Sequence, residues 1–164
     1  MTGAVKELDG AARSGVGGEA GPLRRLLLGL MLLGIAGLAA ELVLLEHTES
    51  VWQWVPLAAL ALGFILTAAV AMRPSARTLR PFQAVMAAFV AAGALGVYLH
   101  FQGNVEWELE GDASLRGAEL YWAALWGATP ALAPGALAQL GLLGLALAHR
   151  HPALRRASPH TERP

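Results

Sequence analysis

The sequence contains no cysteine. That excludes disulfides, thiolate metal sites, iron–sulfur ligation and thiol redox chemistry, although it assigns no compartment. It also lacks an excess of charge. Twelve basic side chains balance twelve acidic ones, so net charge points to no nucleic-acid partner. Charge is almost missing from the apolar runs, which hold a single carboxylate, Glu41. No catalytic signature stands out, and no cofactor is expected. Gly15, Gly17, Gly18 and Gly21 loosely mimic a phosphate-binding loop. No strand precedes them and no soluble helix follows, so the match fails.

What is present is apolar. Hydrophobic residues make up 55% of 164, in three near-continuous runs and a longer fourth. Roughly 20 apolar residues in a helix cross a ~30 Å hydrocarbon core. The expected fold is an all-α integral membrane four-helix bundle with an additional short interfacial helix on the outer side. Residues 1–23 read as a flexible tail, because mixed Gly, Ala and charge without periodicity cannot bury enough surface to offset ordering. Residues 24–149 form the four-span membrane domain, with spans at about 26–45, 51–72, 81–101 and 129–148. Residues 150–164 are a basic tail, expected to fray; His149 beside it and His151 and His160 within it are expected to be solvated or snorkelling.

The third span opens with Pro81, which suits a first helical position. The last apolar stretch, from Leu120 to Ala148, is too long for one span, at ~43 Å if fully helical. The sequence therefore predicts an interfacial helix over Leu115 to Trp126, with Leu115, Ala118, Trp122, Leu125 and Trp126 on one face. Thr129 and Pro130 then read as the N-cap and first residue of the fourth span, which Pro134 bends.

Orientation follows from lysine and arginine. Eleven of the twelve lie in the two tails and the second turn, and only Arg116 falls on the other side. The basic side is the cytoplasm, so the expected location is a bacterial inner membrane with both termini cytoplasmic. All five tryptophans and both tyrosines gather at the opposite side. A cleaved signal peptide ending at Gly37 and Ala39 competes as a reading of the first span. The apolar run continues past that point, as a stop-transfer helix would.

The candidate polar site lies on the outer face. Glu41 sits four residues before Leu45, where it either reaches interfacial water or acts as a proton, cation or packing site. His47 in the first turn and His100 at the end of the third span come to the same side, below a third loop holding Asn104 and Glu106. These five residues are expected to converge as a packing lock or a binding site. The acidic residues there invite a metal reading, but no ligand geometry is fixed, so no metal is assigned. Glu106, Glu108 and Glu110 alternate with Trp107 and Leu109, an extended period that suits a solvated loop. Bis-histidine haem is disfavoured because His47 and His100 stand at helix ends.

Small residues mark expected helix contacts: Ala88, Ala92 and Gly96 in span three, Gly144 and Ala148 in span four, Gly34 and Gly37 in span one. Gln139, midway along span four, should face protein, where its amide finds a partner.

Three segments carry a resemblance. They are Glu41 through Glu49 with Trp52-Gln53 and Pro56-Leu57, Leu99 through Glu106, and Gly127 through Gly135. Together they resemble small uncharacterised bacterial four-span inner-membrane proteins, to which no activity is attached. Small multidrug exporters also have four spans and a glutamate in the first. They lack a long acidic third loop, and their glutamate sits deeper. The expected function is a non-enzymatic accessory or interaction subunit of a membrane assembly. Its expected partners are the lipid bilayer and other membrane proteins or a second copy. The alternatives are a transporter or ion-handling protein using Glu41, and a membrane enzyme at the outer interface with His100 or His47 as base.

Overall fold

The computed structural model describes residues 2–46 and 51–155, and within these only the backbone of residues 2–20 and of Trp52. Every regular element among the described residues is helical: α1 (Thr2–Leu44), α2 (Val51–Met72), α3 (Ala76–Gly111), α4 (Gly117–Leu125), α5 (Gly135–Ala148) and α6 (Pro152–Arg155). Three stretches are long and apolar enough to cross a membrane: Gly21–Leu44 within α1, Gln53–Met72 within α2, and Ala76–Gly111.

α1 starts well before its apolar part. Residues read from the sequence as a loose tail instead continue the helix, since propagation from a formed span is far cheaper than nucleation. α3 likewise begins before Pro81. Ser75 is its N-cap, with a capping box in which Thr78 N–H donates to Ser75 Oγ and Ser75 N–H donates to Thr78 Oγ1 at 3.0 Å. That box satisfies first-turn donors and moves the start five residues ahead of the proline. At the other end α3 runs through Glu106, Glu108 and Glu110 to Gly111. The extended loop expected there is therefore helix. It stops where the Asp112 carboxylate turns the chain, accepting from Ser114 N–H at 2.8 Å and Ser114 Oγ at 2.6 Å. These hydrogen bonds hold the Asp112 carboxyl below its ordinary range.

The packing is a ring. α1 lies on α2, α2 on α3, α3 on α5 and α5 on α1, while α1 and α3 make no close backbone approach. The core holds Met31 and Ile35 of α1, Leu60 of α2, Phe82, Met86 and Phe89 of α3, and Leu137 of α5. Along α3 the buried line is Phe82, Met86, Phe89, Gly93 and, further on, Asn104, with partly buried Gly96 and His100 between. Steps of four and three residues make this a seam for a facing helix. Ala88 and Ala92, expected as contacts, are exposed.

The seam receives α5. A Cβ on Gly93 would stand 2.5 Å from Ala138 N, and one on Gly141 would stand 2.5 Å from the Met86 carbonyl. Here hydrogen in place of a methyl group is what lets two backbones touch. Gly144, expected as a contact, is also closed in, by Met86 and Met31, whereas Gly37 faces open space. Among the described residues one hydroxyl is buried, that of Thr67, which donates to the Gly63 carbonyl four residues back at 2.7 Å and needs no outside partner.

Candidate functional site

α5 begins at Gly135, not at Thr129 or Pro130 as the sequence predicts. A missing donor contributes, although α2 and α3 run on through Pro56 and Pro81. A helix running on from Pro130 would satisfy its carbonyl with the N–H of residue 134, and Pro134 has none. Residues 126–134 form bends and turns instead. The Pro130 carbonyl accepts from Ala133 N–H at 3.1 Å and lies 3.3 Å from His100 Nδ1. At fourteen residues α5 is ~21 Å long, shorter than a ~30 Å hydrocarbon core.

Asn104 holds that turn. It lies on α3 and is 1% exposed. Its amide N–H groups donate to the Thr129 carbonyl at 2.7 Å and the Ala124 carbonyl at 2.9 Å. Its oxygen accepts from Thr129 N–H at 3.0 Å and Thr129 Oγ1 at 2.7 Å. Four bonds use the full capacity of an asparagine amide. One side chain thus ties the end of α4 and the entry to α5 onto α3. Gly127 permits it, because a Cβ there would sit 2.7 Å from Asn104 Cγ. Phe101 stacks on Tyr121, with centroids 5.9 Å apart, and fastens α4 a second time.

Of the five residues named from the sequence, His100 and Asn104 meet around this turn. Glu41 is exposed near the end of α1, on the helix diagonal to α3. Glu106 is exposed on α3, two residues beyond Asn104. His47 lies outside the described residues. No hydrogen bond joins Glu41 or Glu106 to His100 or Asn104 among the described residues. No cluster of three metal-ligating side chains occurs among them either. Thr129, Gly127 and Pro130 were not singled out as site residues by the sequence. The available signal was the pair of prolines four residues apart, which frees one carbonyl.

Around the clasp the surface is aromatic and acidic. Trp107, Tyr121, Trp122 and Trp126 are each more than half exposed, beside exposed Glu106 and Glu110. Trp122 meets Trp126 edge to face at 6.1 Å. The expected apolar face of α4 is the outward one, with Ala118, Trp122, Leu125 and Trp126 all exposed.

The basic end carries a second arrangement. His151, expected to be solvated, is 8% exposed. Its Nδ1 accepts from Ala153 N–H at 3.2 Å, which leaves the proton of the neutral ring on Nε2. Burial first, then the Arg24 charge, pushes its pKa down.

No protein-family model matches the chain, and neither a curated protein nor a solved structure is detectably similar to it.

Proposed function

We propose that this chain is a small non-enzymatic inner-membrane protein of four spans with both termini cytoplasmic, serving as an accessory or interaction subunit of a membrane assembly. α1, α2 and α3 supply three spans, and the Pro130 turn with α5 supplies the fourth. α4 lies in the outer interface, its exposed tryptophans at headgroup depth. The basic ends of the helices face the cytoplasm, and the resemblance to small bacterial four-span proteins fits this arrangement. The partners are the bilayer and other membrane proteins or further copies, not nucleic acid.

One observation carries the reading. A fully satisfied buried amide fixes a rigid platform whose exposed residues are aromatic and acidic. Beyond its apolar run α3 continues for ten residues, 102–111, or ~15 Å, and α4 is clamped against it. A surface held this firmly suits docking, since little ordering remains to be lost on binding.

The test compares native-membrane purifications of wild type and of Glu106→Lys/Glu110→Lys. The expected result is a stoichiometric co-purifying protein that the variant loses while its melting temperature is unchanged. Purification of the wild type alone, or ion flux in proteoliposomes of the purified chain, overturns the proposal.

A further inference from the structure

The groove between α1 and α5 contains a polar group that the rest of the fold does not use. Gly34, Leu38, Ala136, Gln139, Leu140 and Leu143 line a cleft of about 300 Å³. Five of the six are apolar. Gln139 is exposed, and its amide has no partner among the described residues. The sequence predicts that this amide faces protein, yet within one chain it does not.

Its depth makes this costly. On one side of α5, Ala138 stands against Gly93 of α3, and on the other Leu140 stands against Gly34 of α1. Gly93 lies near the middle of the apolar run 81–101 and Gly34 near the middle of 26–45. Along α5, Gln139 is ten residues from His149, or ~15 Å, half a hydrocarbon core. Gln139 therefore sits at the bilayer centre, where lipid offers neither donor nor acceptor.

We propose that this groove is a homodimer interface, in which the Gln139 amides of two copies pair across a two-fold axis normal to the bilayer. The inference rests on the four-span reading above. A primary amide carries both donors and an acceptor, so it is its own complement. Two copies inserted in the same orientation place Gln139 at the same depth without further adjustment. Any other protein would have to bring a polar group to that level. An isologous contact of this kind also closes on itself. Ala136, small and exposed one turn from Gln139, lets a second α5 approach closely.

The lack of cysteine makes the test clean. Ala136→Cys lies one turn before Gln139 and leaves the amide intact. On oxidation in native membranes it should give a disulfide-linked species of twice the chain mass. Ile65→Cys, on the exposed face of α2, should stay monomeric. Adding Gln139→Leu should weaken association about tenfold in a lipid-dilution series, and Gln139→Asn should recover part of it. The monomer fold should not change, because Gln139 holds nothing among the described residues. No crosslink at Ala136→Cys, a crosslink only to another protein, or a dimer indifferent to Gln139→Leu overturns the proposal. Reporter fusions on the same variants separate this from failure of its premise. Residue 75 and the C-terminus reporting opposite sides removes the four-span reading, whereas a monomer with both on one side removes only the dimer.

Discussion

Replacing Asn104 with alanine removes all four clasp bonds at once. The cost follows from what is left behind. The Thr129 hydroxyl rehydrates, because Thr129 is exposed. The Ala124 carbonyl keeps a weaker bond from Gly127 N–H at 3.4 Å. The part-buried Thr129 N–H and C=O lose their partners outright. Four bonds at ~1 kcal/mol net each set an upper figure of ~4 kcal/mol. With rehydration discounted, about 3 kcal/mol remains, a fall in melting temperature of about 9 °C at this chain length. Tryptophan fluorescence in mild detergent is the assay, since Trp122 and Trp126 report release of α4. Asn104→Asp sharpens the test. It keeps the acceptors for Thr129 but sets a carboxylate oxygen against two carbonyls. Burial and those carbonyls favour the protonated acid, so the folded pKa lies above the unfolded one. The stabilisation is then complete below the unfolded carboxyl pKa and is lost as pH rises through the folded pKa. A melting point for Asn104→Ala within about 2 °C of wild type, worth less than ~1 kcal/mol, would refute the clasp, as would an Asn104→Asp deficit independent of pH.

Gly93→Ala should cost ~2 kcal/mol, because its methyl meets the Ala138 backbone and cannot displace it cheaply. Gly103→Ala, with open space around it, should be neutral or stabilise the helix by up to ~1 kcal/mol. Thermal melts of the pair check both. His151 is held neutral by burial, with a pKa below its ordinary 6.5. Its stabilisation is present above 6.5 and is lost as pH falls from there toward the lowered value. Wild type should therefore lose stability between neutral and mildly acid pH, and His151→Gln should show a flatter profile over the same range. Reporter fusions at residue 75 and at the C-terminus should mark the cytoplasm and one after Gly111 the outside; a C-terminal outside signal counts against four spans.

The three long apolar helices were legible because hydrophobicity is summed over twenty residues and tolerates local error. Boundaries were not, and each miss has its own cause. The alternation of Glu106, Glu108 and Glu110 suggested an extended, solvated loop, but a two-residue period over five residues is weaker than continuation of a helix already formed. Ala88, Ala92 and Gly96 formed a tempting ridge. The true seam follows Phe82, Met86, Phe89, Gly93 and Gly96: of the ridge only Gly96 belongs to it, and Gly93 and Gly96 are small because a Cβ there would meet Ala138 or Pro134. Asn104 and His100 were named as polar candidates and do meet, though over the Pro130 turn, not over Glu41. Distance along the sequence hid that meeting, since the Asn104 to Thr129 bonds join residues 25 apart.

The length of α3 and the break before α5 are two sides of one constraint. A single helix from Leu120 to Ala148 would satisfy its own backbone and require nothing from α3. Pro130 and Pro134 weaken that helix by removing two donors, and the chain turns there with the Thr129 N–H and C=O unpaired by any helix of its own. α3 supplies the remedy only by running past its apolar section, because Asn104 lies three residues beyond Phe101. Positions 93, 96, 100 and 104 then share one face, so the same seam that packs α5 also presents His100 and Asn104 to the turn. Glu106, Trp107 and Glu110 are free of that task. They are carried outward on a helix whose position is already fixed by the clasp, and this is why the proposed docking role is assigned to them and not to the buried amide beneath.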